Sequence, residues 1–132
     1  MKWEAGQPLQ VLTKPPITRD QLKAYAAASG DNNPIHLDEG FAQQAGFPSV
    51  IVHGMMSMAF LGDHLQFNFP PEKYRVLKLR TRFRKVTFPG DTLSCEGRVR
   101  RVEADGKVLV ALHTRNQRGE ITSEGEAEIS AK

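Results

Sequence analysis

The sequence predicts an α+β fold in which an antiparallel β-sheet wraps around a central buried α-helix. Three features carry that reading. The segment 55–67 (MMSMAFLGDHLQF) is apolar nearly all round in its first half, and a helix without a polar face is a buried helix. From about residue 74 onward, apolar and charged residues alternate with period two, as strands with one dry and one wet face do. The dry face needs a cover, and the helix is the element apolar enough to provide it.

The bulk properties agree. A length of 132 residues suits one domain, 1–132, with one sizeable core. The chain is 39% apolar and 25% charged, ordinary for a globular protein. There is no run of ~18 apolar residues, so no membrane span is expected. The opening MKWEAGQPLQ lacks the apolar stretch of a secretory signal. The single cysteine, Cys95, excludes an internal disulfide framework and makes a reducing, cytoplasmic setting the default. Net charge is +3 and the pI about 9.2. With no clustered basic helix, that balance points away from nucleic acid and suits phosphorylated small molecules or acidic carrier proteins.

Taken in order, residues 9–14 read as a short strand that Pro15 and Pro16 stop. Thr18 with Gln21 forms a capping-box pattern, Leu22, Tyr25 and Ala26 give the helix it opens one apolar face, and Gly30 closes it. An irregular loop follows. Asp38 caps a second short helix that Gly46 ends. The central helix begins at His53-Gly54. Beyond it, Leu77, Leu79, Thr81 and Phe83 are expected on the inner face of a strand, with Lys78, Arg80, Arg82 and Arg84 outside. Turns are expected at Pro89-Gly90-Asp91, Asp105-Gly106 and Arg118-Gly119. In the last strand Ile121, Gly125, Ala127 and Ile129 face inward opposite Glu124, Glu126 and Glu128, acids that can pair with the basic stripe.

The chemistry concentrates between Tyr25 and Met58. Asp31 and His36 stand on one loop with Asn33-Pro34 between them, and the residue before a proline is held out of the α region. So stiff a loop can aim a carboxylate and an imidazole at one water molecule, one accepting a proton while the other donates. The stretch Ser29-Gly30-Asp31-x-Asn33-Pro34-Ile35-His36-x-Asp38, followed by Val52-His53-Gly54-Met55, resembles the MaoC-like dehydratases and the (R)-specific enoyl-CoA hydratases, or hydratase 2. The resemblance implies the hot-dog fold, and the length is that of a family member with a single such domain.

The resemblance implies a hydro-lyase of fatty acid metabolism. It would add water reversibly, in syn fashion, to a trans-2-enoyl thioester of coenzyme A or acyl carrier protein, with no cofactor or metal bound. Asp31 and His36 would be the acid–base pair and Asn33 would support their loop. The Gly54 amide would receive the thioester oxygen, a role that free N–H groups at a helix start suit independently. His53, Met55 and Ser57 are candidate substrate contacts, although capping the helix or packing locally is the simpler role for His53. Met55, Met56 and Met58 could line an acyl tunnel or simply be core. Some relatives carry a serine further along this helix, where Gly62 stands here. The segment Phe67–Tyr74 could floor the pocket or merely cross over. Asp38 could join Asp31 and His36 on a metal, but capping is simpler. His64 and His113 read as surface residues, and Cys95 as inert core.

A homodimer joining two sheets is the expected assembly. The alternatives are a non-catalytic acyl-CoA-binding protein of the same fold and one subunit of a heteromeric dehydratase. A thioesterase is less favoured, because such enzymes generally place a carboxylate on the central helix, and the first acid there is Asp63.

Overall fold

Local chemistry starts the first helix where the sequence places it. In the computed structural model, which describes residues 2–132, Gln21 N–H donates to Thr18 Oγ1 at 3.1 Å while Thr18 N–H donates to Gln21 Oε1 at 2.8 Å. This reciprocal cap, about 1 kcal/mol of stability, opens α1 (Arg19–Ser29). Gly30 ends it with φ 80°, its N–H donating to Ala26 O; glycine takes that left-handed conformation without a Cβ clash. A 3₁₀ turn follows at Pro34–His36, then α2 (Glu39–Gln44), capped by Asp38 Oδ1 accepting from Phe41 N–H.

The central helix α3 spans Gly54–Asn68. Met56, Ser57, Phe60, Leu61, His64 and Leu65 are buried. The buried apolar side chains each contribute about 1.5–3 kcal/mol of hydrophobic transfer. Its other side is open, with Met55 and Phe67 about half exposed, so the helix that reads as apolar all round is covered on one side only in this chain.

Five strands form the one sheet that covers its buried side: β1 (Leu12–Thr13), β2 (Tyr74–Phe83), β3 (Ser94–Val102), β4 (Val108–Arg115) and β5 (Ile121–Ala131). All neighbours are antiparallel, in the order β1-β3-β4-β5-β2. Cys95, Val99, Val110, Leu112, Ala127 and Ile129 are buried in the core with Leu61 and Leu65. This is the hot-dog arrangement. Burial pushes the Cys95 thiol up to about 12, so it stays protonated.

Gly97, Leu112, Gly125 and Thr81 lie side by side in register across four strands. A Cβ on Gly125 would sit 2.5 Å from the Arg80 carbonyl oxygen, and one on Gly97 would run into that of Ala111. Glycine is required there because neighbouring backbone occupies the side-chain space.

Several expectations are corrected. The first strand is two residues long, with an isolated bridge from Pro8 to Arg98. The ladder slips between Val76 and Lys78, so Leu77 falls in a bulge and is 48% exposed rather than inward. Phe69 is buried against Trp3, ring centroids 4.5 Å apart, while Phe67 and residues 71–73 are exposed, so of the segment after α3 it is Phe69 that joins the core. The basic stripe pairs with the acids of β5 in part: Lys78 with Glu128 and Arg84 with Glu124, exposed contacts of small energetic weight.

His64 is fully buried, its Nε2 donating to Gln10 O at 2.7 Å, and His113 is part-buried against Glu96 at 2.6 Å; neither is the surface residue expected. Burial holds the His64 imidazole, like that of His53, below the ordinary 6.5. The unfolded chain therefore takes up these protons from about pH 6.5 downward while the folded chain resists them, and stability present above that pH is lost as pH falls below it. Thermal unfolding should give a lower Tm at pH 5.5 than at pH 7. His64→Gln, which keeps a donor for the Gln10 carbonyl, should reduce that difference.

Candidate active site

The loop after α1 is held by its own polar side chains. Asp31 N–H donates to Ser29 Oγ, Asn33 N–H donates to Asp31 Oδ1 at 3.3 Å, and Ile35 N–H donates to Asn33 Oδ1 at 3.1 Å. Asx turns of this kind fix short loops. Asn33 is thus engaged within the loop, and Pro34 starts the 3₁₀ turn that carries His36.

His36 Nδ1 bonds the Ile51 carbonyl at 2.7 Å. A carbonyl can only accept, so Nδ1 carries the proton and Nε2 is the nitrogen left for chemistry. Nε2 lies 3.9 Å from Asp31 Oδ2, with His36 nearly buried and Asp31 half exposed. That gap is too long for a direct hydrogen bond. It is close to the ~4.4 Å separating two atoms that each bond one water at ~2.8 Å in near-tetrahedral geometry.

Beside the pair is a cavity of about 280 Å³ whose wall includes His36, Gly54, Ser57, Phe83, Thr87 and Thr122. Gly54 is the first residue of α3, and no side chain caps that helix, so the N–H groups of Gly54 and Met55 lack an intrahelical acceptor and carry the positive end of the helix dipole. The Phe83 ring lies over Gly54, so close that a Cβ there would meet ring carbons at 3.2 Å.

The residues singled out from sequence do not all reach this cavity. His36, Gly54 and Ser57 line it, with Asp31 beside His36. Met55 is 56% exposed and lies off this wall. His53 is 1% exposed, behind His36, with ring centroids 3.8 Å apart and planes 21° from parallel. Sequence reasoning missed Phe83, Thr87 and Thr122, which come from distant parts of the chain, and the Ile51 carbonyl, a backbone group without a side-chain signal.

Asp31, His36 and His53 offer ligand atoms within 4.8 Å of one another. Imidazole lone pairs lie in the ring plane, however, and two nearly parallel stacked rings aim theirs side by side rather than at one ion. Nδ1 of His36 and Nε2 of His53 are already bonded to the carbonyls of Ile51 and Asp31, and Asp38 is engaged in capping α2. This donor set does not suit a metal.

Residues 2–119 match the MaoC like domain family. Over 111 residues the chain is 33% identical to the (R)-specific enoyl-CoA hydratase of Aeromonas caviae, covering 83% of this chain and 82% of that protein. The solved structure of the A. caviae (R)-hydratase involved in PHA biosynthesis superposes with a TM-score of 0.90 at 29% identity, covering 99% of this chain and 98% of that one. The peroxisomal multifunctional enzyme type 2 of Mus musculus is 37% identical over 93 residues, which is 65% of this chain but only 13% of that enzyme. The chain therefore matches a small part of some relatives and most of others. Fold, loop motif and relatives agree that the chain belongs to the MaoC-like dehydratase family.

Proposed function

We propose that the protein is an (R)-specific enoyl thioester hydratase, working reversibly as a 3-hydroxyacyl thioester dehydratase. The observation that carries the reading is the placement of His36 Nε2 opposite Asp31 Oδ2, beside a cavity that also receives the uncapped start of α3 at Gly54.

In hydration, the pair takes a proton from a water held between them as its oxygen bonds to the β-carbon of the trans-2-enoyl thioester. The electron pair of the double bond moves toward the thioester oxygen, where the Gly54 N–H offsets the developing negative charge. The proton then returns from the pair to the α-carbon on the face where the hydroxyl was added, giving syn addition and an (R)-3-hydroxyacyl thioester. Dehydration is the reverse. All steps use side chains and one amide of this chain, with coenzyme A or a carrier protein entering as part of the substrate.

A homodimer belongs to the same proposal. β2 is an edge strand with Val76, Leu77 and Phe83 all more than 40% exposed. A long, partly apolar edge calls for a partner, and a second β2 would supply one. The free, buried Cys95 fits a reducing compartment such as the cytoplasm, and no helix among the described residues is long and apolar enough to cross a membrane.

The test is consumption of crotonyl-CoA, followed by loss of the conjugated thioester's ultraviolet absorbance, with sedimentation to determine mass in solution. Conversion to the (R)-3-hydroxy product is expected. No turnover of crotonyl-CoA, longer enoyl-CoAs or enoyl carrier proteins would overturn the reading.

A further inference from the structure

We propose that His53 is a positioning residue for the Asp31–His36 pair, touching both members and tying them to the helix start that holds Gly54. The inference rests on the acid–base reading of that pair. Three contacts carry it. The His53 ring stacks on His36 at 3.8 Å. Its Nε2–H donates to the backbone carbonyl of Asp31 at 3.2 Å. Its own carbonyl accepts from the N–H groups of Met56 and Ser57 in the first turn of α3. Behind it, the Tyr25 ring of α1 packs at 4.8 Å. The imidazole therefore joins α1 to the loop, and the backbone carbonyl of the same residue joins the start of α3, where its chain neighbour is Gly54.

Packing alone does not account for an imidazole here. His53 Nδ1 is buried and has no hydrogen-bond partner among the described residues, and an unpaired buried acceptor is destabilising. A phenyl ring would fill the same space without that cost, but it would lack the N–H that holds the Asp31 carbonyl. Burial favours the uncharged imidazole, consistent with a fixed Nε2–H donor between Asp31 and His36, the groups that face it.

Two variants separate the contacts. His53→Phe keeps a ring to stack on His36 and removes the N–H. His53→Gln keeps an N–H donor and removes the ring. With crotonyl-CoA, H53F should lower kcat by about 10-fold or more while KM stays within about threefold, the signature of a misaligned pair, and H53Q should retain more activity than H53F. Hydrogen exchange at the Asn33 and Ile35 amides should rise in H53F while that of Val110 and Leu112 in β4 holds.

The proposal is overturned if H53F keeps kcat within about twofold of wild type, if kcat falls without faster exchange in the loop, or if β4 loses protection in parallel. If the wild type turns over no enoyl thioester, the reaction reading falls on its own, and the contrast in exchange between loop and β4 alone decides whether His53 positions this loop.

Discussion

Asp31→Asn will lower turnover of crotonyl-CoA by about 10²–10⁴-fold, the range for loss of a positioned acid or base, and will leave the fold intact. The substitution is close to isosteric. Asp31 Oδ1 accepts from Asn33 N–H, and an asparagine oxygen can accept the same bond, so the turn that sets the loop survives. What disappears is the second carboxylate oxygen, which faces His36 Nε2 at 3.9 Å, and with it the capacity to take a proton from water. His36→Ala should cost as much or more. It removes the other half of the pair and leaves the Ile51 carbonyl without its donor, so a small drop in Tm should accompany the loss. Rates measured beside circular dichroism and melting curves check both. An active wild type with D31N within tenfold of it would sink the assignment of Asp31.

Gly125→Ala will be among the most destabilising single methyl additions in the molecule. The new Cβ would lie 2.5 Å from the Arg80 carbonyl oxygen. That oxygen belongs to backbone within the β2–β5 ladder, not to a side chain able to swing away. Relief requires opening the sheet between β2 and β5, at a cost of about 2 kcal/mol or more and a Tm lower by roughly 10 °C. Glu126→Ala, one position along, provides the control. Its carboxylate pairs with Arg100 on the exposed face, and losing such a pair changes stability by about 0.5 kcal/mol or less. Equal melting of the two variants would remove the case that glycine is required at position 125.

What was legible in the sequence was what the chain does with near neighbours. Thr18 with Gln21, Gly30 and Asp38 each act within a few residues, and each helix end lies where those residues place it. Asp31 and His36 could be paired in advance because one short loop carries both. The misses have a different physical origin. A bulge at Leu77 inverts the facing of the preceding residues, and period-two alternation has no term for an inserted residue. His64 looked like a surface histidine because its acceptor, the Gln10 carbonyl, lies far away in sequence. Phe83 read as an ordinary inward strand residue, and only tertiary structure brings its ring onto Gly54. His53 was recognisable as a helix start, but its stacking on His36 depends on how α3 meets the loop.

The strand order has a consequence for synthesis. β2 finds its partner within the chain only in β5, the last strand made, which inserts between β2 and β4. While residues 84–120 leave the ribosome, the ten residues of β2 have no ladder to join and α3 lacks much of its cover. Chain growth of about 5–20 residues per second keeps that apolar helix waiting for seconds, a window in which a chaperone or a nascent neighbour can reach it. Loss of the final strand would therefore leave an earlier strand unpaired as well as shorten the sheet, so a late truncation should yield an aggregating chain rather than a smaller enzyme.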